Sequence, residues 1–127
     1  MKILGIDYGR SKIGLAIADG SLAEPMSVIR YSDTRMLEDK LMKVIEDNSI
    51  EKVVVGISEG EMGEESETFA SKLRSSLIVP VEIFDETLST QDARRMSREA
   101  GIGPKKRREM EDAYAAAIMI QNYLDFS

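Results

Sequence analysis

Val53-Val54-Val55-Gly56-Ile57 restricts the fold more than any other segment of the chain. The run is free of polar side chains and rich in β-branched ones, so as a strand it carries no polar residue on either face. Such a strand needs a neighbour on each side and a layer over each face, the environment of a central strand in a helix-covered sheet. The flanking segments agree. Residues 2–8 read as a buried strand, and residues 12–19 alternate apolar with small or polar residues after a Gly9-Arg10-Ser11 turn, as in a hairpin. A third short strand is expected over Met26 to Tyr31, with Pro25 just before it, which suits a strand start or an edge.

The period then changes. Leu37, Leu41, Val44 and Ile45 share one helical face, with Ser32 or Asp33 available as the N-cap. Glu59 to Ser66 is acidic and Gly-punctuated, and reads as a solvated loop framing one side of a cleft, with Ser66 exposed near a helix start. Phe69, Leu73 and Leu77 mark that second amphipathic helix, and Val79 to Phe84 the next strand. Ser89 or Thr90 can cap a polar helix through about Ala100, which Gly101-Ile102-Gly103-Pro104 breaks. A last helix runs from about Lys106 to Tyr123. The order predicts an α/β fold, one domain of 127 residues on a mixed five-stranded sheet flanked by helices.

Two absences narrow the chemistry. Without Cys there are no disulfides, thiolate nucleophiles or cysteine-held metals; without His there is no imidazole base, no Ser-His-Asp triad and no His-ligated zinc. Any catalysis falls to carboxylates, lysines, hydroxyls or a bound hard cation. No apolar run approaches the roughly 18 residues of a membrane span. Asp7 also stands where a signal peptide would still be apolar, so a cytoplasmic protein without a membrane partner is expected.

Three acidic stations stand out. Asp7, between Gly5 and Gly9, ends the first strand; Asp85-Glu86 follows a later strand; Asp112 precedes the alanine-rich segment Ala113-Tyr114-Ala115-Ala116-Ala117. Carboxylates at strand ends facing a helix carboxylate suit a site that holds magnesium against a phosphate. Each also has a purely structural reading. Asp7 can cap a turn, the Asp85-Glu86 pair can favour a helix N-terminus, and an early Asp in an alanine-rich helix is common. Adjacent acids on an extended segment point to opposite faces, so one of Asp85 and Glu86 faces any shared site. The spacing alone leaves open which.

The formal charge is −6, yet residues 91–108 hold seven cations, Arg94, Arg95, Arg98, Lys105, Lys106, Arg107 and Arg108, against Asp92 and Glu99. A basic stripe on an acidic body can bind a polyanion at one face; it is also what a solvated helix face looks like.

Together, Gly5-Ile6-Asp7-Tyr8-Gly9 with Lys12-Ile13-Gly14-Leu15-Ala16, Val54-Val55-Gly56-Ile57, Asp85-Glu86-Thr87-Leu88-Ser89-Thr90 and Asp112-Ala113-Tyr114-Ala115-Ala116 resemble the YqgF/RuvX family. Its members are small bacterial proteins with an RNase H-like fold, described as Holliday junction resolvases and as pre-16S rRNA nucleases. The resemblance spans essentially the whole chain, with the motifs in order. It implies that Asp7, Glu86 and Asp112 are the catalytic acids and hold Mg²⁺ or Mn²⁺, Glu86 being preferred over Asp85. It also implies a second strand antiparallel to its neighbours. Arg10 and Lys12 beside Asp7 would reach the scissile phosphate, and the basic stripe the flanking phosphates. Departures fall on substrate contacts: Thr87 stands where the family often has Arg, Gly56-Ile57-Ser58 where it often has Gly-Leu-Pro, and Lys12 where Arg is frequent.

The expected function is metal-dependent hydrolysis of phosphodiester bonds in structured nucleic acid, foremost at the 5′ end of pre-16S rRNA in ribosome biogenesis, with Holliday junction resolution as the family's other assignment. The expected partner is pre-rRNA or branched DNA, engaged by a monomer or a homodimer. Two other readings compete. A non-catalytic RNA- or ribosome-associated module would keep the fold without turnover. An ATP-binding module of the actin/Hsp70 type shares the Gly-x-Asp-x-Gly strand but encloses its nucleotide between two such domains.

Overall fold

β1 (Lys2–Asp7), β2 (Lys12–Asp19) and β3 (Leu22–Arg30) form successive antiparallel hairpins. β4 (Lys52–Ile57) and β5 (Val81–Asp85) add in parallel on the other side of β1, giving the sheet order β3-β2-β1-β4-β5. The computed structural model describes residues 1–57, 61–85 and 104–126, with the side chains of 61, 62, 85, 104–108 and 126 outside the description. Val53, Val54 and Val55 are fully buried in β4 between β1 and β5, as the run of apolar residues requires. The β2–β3 hairpin turns on Gly20, whose φ of 74° lies in the left-handed region that glycine enters without a Cβ penalty.

The pleat sends alternate residues to opposite faces. Leu4 and Ile6 of β1, Ile13 and Leu15 of β2, Val53 and Val55 of β4 and Val81 of β5 meet α1 (Thr34–Asn48) and α2 (Glu61–Ser76) in one core. Helix α1 is capped by Asp33, whose carboxylate accepts from the Arg35 amide at 2.9 Å, and it buries Leu37, Leu41 and Ile45. Ile3, Ala18 and Val54 face the other way, against Met119 and Ile120 of α3 (Pro104–Phe126). Pro104 opens α3 at the position where its missing amide costs no intrahelical bond.

Several sequence-based bounds move. β3 begins at Leu22 and carries Pro25 inside it, opposite Ala16 at a register shift between Leu15 and Ala16. A proline breaks a central ladder but is tolerated on an edge strand at a bulge, and β3 is an edge. Helix α2 starts at Glu61, inside the segment expected to be loop, because the glutamates that make it look solvated are the acids a helix N-terminus favours. That earlier start turns Ser66 inward beside Phe69, Ala70 and Leu73, so it is 1% exposed rather than open to solvent. β5 is Val81–Asp85 and α3 is longer at both ends than expected. The polar helix expected between Ser89 and Ala100 lies outside the described residues.

A polar clasp ties α3 to β4 and β5. Lys52 Nζ lies 3.1 Å from Glu82 Oε1 and donates to the Tyr123 hydroxyl at 2.9 Å, while that hydroxyl donates to Glu82 Oε2. Phe84 meets the Tyr123 ring edge-on, with centroids 5.7 Å apart. The Tyr123 hydroxyl, then the Lys52 ammonium, hold the Glu82 carboxyl below its ordinary pKa; Tyr123 and Glu82 together raise Lys52. A lowered acid stabilises fully above its unfolded pKa and loses that contribution as pH falls through the folded one. A raised lysine stabilises fully below its unfolded pKa and loses it as pH rises through the folded one. The clasp is therefore complete between about pH 5 and pH 10. Because Glu82 is 46% exposed, its worth is about 1 kcal/mol or less after screening. In thermal unfolding, Glu82→Gln should melt below the wild type at pH 7, with the gap shrinking as pH falls below about 4; a gap that stays constant on acidification would remove the clasp from the acid limb.

Candidate functional site

The carboxyl end of β1 brings Asp7 alongside the strand that α3 lies on at Asp112. Asp7, the last residue of β1, stands opposite Gly14 of β2 and Gly56 of β4. Its parity places it on the α3 face, with Ile3 and with Gly5, where an added Cβ would lie 2.0 Å from Ile120 Cγ1. Gly14 is tighter against backbone: a Cβ there would lie 1.9 Å from the Asp112 carbonyl oxygen. Ala113, Ala116 and Ala117 continue this close approach, all essentially fully buried, with Ala116 and Ala117 packed on Ala16. Small residues on both surfaces thus seat Asp112 on the residue that pairs with Asp7.

Lys12, on the same face of β2 as Gly14, completes the group. Its Nζ is 3.0 Å from Asp112 Oδ2, with the two side chains 39% and 28% exposed. Among the described residues Oδ2 is buried and receives no aligned hydrogen bond. The contact is an ion pair by distance, and the ammonium offsets the charge on that oxygen. Asp7, Lys12 and Asp112 are the predicted site residues that the fold brings to one place.

The others separate from it or lie beyond the description. Arg10 sits in the β1–β2 turn, and its Nε donates to Glu65 of α2 at 3.0 and 2.9 Å. Lys105, Lys106, Arg107 and Arg108 occupy the opening turns of α3, one to two turns ahead of Asp112 along the helix. Glu86, Arg94, Arg95 and Arg98 lie outside the described residues. Among the described residues no three His, Cys, Asp or Glu side chains converge on a metal position.

Sequence reasoning did not single out Tyr31 or Glu65. The Tyr31 hydroxyl donates to the Gly9 carbonyl, and its amide donates to the Ser11 carbonyl at 2.9 Å, so both sides of the turn after Asp7 are pinned. Burial, then the hydrogen bond with Tyr8, push the Tyr31 hydroxyl far above the ordinary tyrosine range, so it remains a donor. A lone tyrosine at the end of a predicted strand gives no signal of this role.

A mixed five-stranded sheet with antiparallel β2 inside it and helices on both faces is the RNase H-like fold. Two solved structures share the fold. Thermus thermophilus RuvC in complex with a Holliday junction substrate superposes with a TM-score of 0.64 at 17% identity, covering 100% of this chain and 96% of that one. The fowlpox virus resolvase in complex with Holliday junction DNA gives 0.63 at 13% identity, covering 99% and 98%. The chain belongs to the RuvX family, described as "Holliday junction resolvase", whose family model matches residues 1–126. It is 34% identical to a protein of Oceanobacillus iheyensis over 135 residues, covering 98% of both chains, and 38% identical to one of Anaeromyxobacter sp. over 133 residues, covering 98% and 97%. Both relatives carry the name "Putative pre-16S rRNA nuclease".

The glycine contacts give a test of how Asp112 is placed. Gly14→Ala should cost about 1–3 kcal/mol in urea unfolding, since the clash is with α3 backbone. Ile120→Ala should partly rescue Gly5→Ala, whose clash is with a side chain, whereas Asp112→Ala should not rescue Gly14→Ala. Equal rescue in both pairs would contradict this seating of the helix.

Proposed function

We propose that the chain is a metal-dependent endonuclease that hydrolyses phosphodiester bonds in structured nucleic acid, with the 5′ region of precursor 16S rRNA as its substrate. The observation that carries this reading is Asp112 Oδ2, a buried carboxylate oxygen without a hydrogen bond that already faces a positive charge at 3.0 Å, beside the strand-end acid Asp7. A site asking for a cation, in a chain without His or Cys, fits a hard ion bound through oxygens. Mg²⁺ or Mn²⁺ bound there would lower the pKa of a water and offset charge on the leaving oxygen.

Asp7, Glu86 and Asp112 would be its ligands. Even-numbered residues of β5, Glu82 and Phe84, share the α3 face with Asp7. The family resemblance prefers Glu86 over Asp85 as the third acid. Lys12 neutralises Asp112 and stands close enough to the acids to hold a non-bridging phosphate oxygen. Lys105 to Arg108, at the start of the helix that carries Asp112, and Arg94, Arg95 and Arg98 would bind flanking phosphates, whereas Arg10, held by Glu65 in the β1–β2 turn, would meet the nucleic acid away from the acids. The names of the relatives favour ribosomal RNA, and the family description favours a branched DNA junction. Among the described residues no helix is long and apolar enough to cross a membrane, in keeping with a cytoplasmic site of action.

Side-by-side incubation with a precursor 16S rRNA 5′ fragment and a four-way DNA junction, in Mg²⁺ or Mn²⁺, tests the reading. Cleavage of the RNA should stop in EDTA. Asp7→Asn and Asp112→Asn should each lose more than about 100-fold in rate while remaining folded by circular dichroism. A fully active Asp7→Asn enzyme would sink the assignment. RNA binding without cleavage would favour the non-catalytic module, and preferred cleavage of the junction by a dimer in light scattering would move the substrate to branched DNA.

A further inference from the structure

Asp7, the last residue of β1, and Tyr8, the first residue after it, look in opposite directions. Asp7 is on the α3 face; Tyr8 turns to the other face and packs on Phe69 of α2, with ring centroids 4.7 Å apart and planes inclined at 31°. There Tyr8 borders a cleft of about 580 Å³ between the starts of α1 and α2, lined also by Arg10, Thr34, Glu65, Thr68 and Lys72. The cleft is separate from the Asp7–Lys12–Asp112 group, lying across the sheet from it. Its volume falls within the range of pockets that take small organic groups.

We infer that this cleft receives one unpaired nucleobase of the substrate strand, next to the phosphate presented to Asp7. An aromatic ring, a guanidinium and two threonine hydroxyls around a single opening are the groups that stack on a base and bond its edge. The carboxylates decide against a bare phosphate. Glu64 and Glu65 line the same cleft as Arg10 and Lys72, and would repel an anion, whereas a carboxylate accepts from the exocyclic amino group of a base. The wall is also fixed before anything binds. Glu65 holds Arg10 through two contacts of 3.0 and 2.9 Å, and Tyr31 holds the carbonyl of Gly9 between Tyr8 and Arg10. Tyr8 and Asp7 are consecutive, with α-carbons about 3.8 Å apart. A strand crossing the end of β1 can therefore set a phosphate on one face and the adjoining base on the other. A paired base cannot enter, so the substrate is unpaired at the point of cleavage. This inference rests on the nuclease reading of the Asp7 face.

The test is binding in EDTA, read by fluorescence anisotropy. The probes are a fluorescein-labelled 12-nucleotide RNA, the same strand in a blunt duplex, and the same strand with abasic positions. The wild type should prefer the single strand over both duplex and abasic RNA by about tenfold, the worth of one stacked base. Tyr8→Leu should lose that preference and Tyr8→Trp keep it. Because Tyr8 packs on Phe69, a second variant guards against misfolding: Thr68→Phe fills the cleft from an exposed helix position without removing a charge. It should weaken single-strand binding about tenfold and leave duplex binding within twofold. Equal binding of single strand and duplex by the wild type, or a folded Thr68→Phe protein with unchanged single-strand affinity, overturns the inference. Failure of the nuclease reading would look different: no RNA cut in Mg²⁺ or Mn²⁺ by a protein that still shows the single-strand preference in EDTA.

Discussion

The close seating of α3 on β1 and β2 is the constraint on which the site depends. A helix normally stands off a sheet by the thickness of its side chains. Here Gly5 and Gly14 on the sheet and Ala113, Ala116 and Ala117 on the helix remove most of that thickness. Burying so little apolar bulk contributes little hydrophobic free energy per residue. The compensation comes from the remainder of the helix, where Met119 and Ile120 are fully buried and Tyr123 closes the clasp with Lys52 and Glu82. The helix is thus anchored at its carboxyl half and brought close at its middle, where Asp112 must reach the end of β1. A leucine in place of Ala113 or Ala116 would improve a generic core and move the carboxylate away.

β4 plays the matching role for the sheet. Because its valines are buried on both faces, the sheet must be covered twice, by α1 and α2 on one side and by α3 on the other. A two-faced sheet whose parallel strands β1, β4 and β5 end along one edge gives that edge access to both layers. Asp7 and Tyr8 exploit this with adjacent positions at the end of one strand. The same pleat that sorts Leu4 and Ile6 from Ile3 and Gly5 inside the core sorts acid from aromatic at the rim.

Much of this was legible in the chain, and for identifiable reasons. The apolar run at Val53 announces a central strand because nothing else can satisfy it. Asp7 stands out because a charge directly after Ile3-Leu4-Gly5-Ile6 has no structural necessity. Asp33 is one of two caps named, and the structure selects it through the Arg35 amide. What failed depended on context. Glu61, Glu64 and Glu65 are acidic for a helix N-terminus and equally for a loop, and composition does not separate these. Pro25 argues for a strand boundary until the strand is known to be an edge with a bulge. Gly14 was visible as part of a motif, but its reason, the Asp112 backbone lying against it, is a contact over ninety residues distant in sequence. Pairings of that kind, including Lys12 with Asp112 and Arg10 with Glu65, have no local signature.

The Lys12–Asp112 pair is weak to hold and costly to break. At 39% and 28% exposure the pair is worth at most about 1 kcal/mol as a surface contact, so holding it together is not what makes the fold stable. Breaking it is a different matter, because Asp112 Oδ2 is buried and has no hydrogen bond to fall back on. Leaving that oxygen without any positive neighbour costs the desolvation of an uncompensated carboxylate, about 1–3 kcal/mol or more. The lysine is therefore loosely held but not freely dispensable: its release is cheap only when another positive charge takes its place beside Oδ2. Were the proposed metal ion bound beside Oδ2, Lys12, on the same face as Asp7, would be free to meet an arriving phosphate. A weak pair on a buried oxygen would then couple the two events, which neither a strong buried salt bridge nor a fully solvated acid would do.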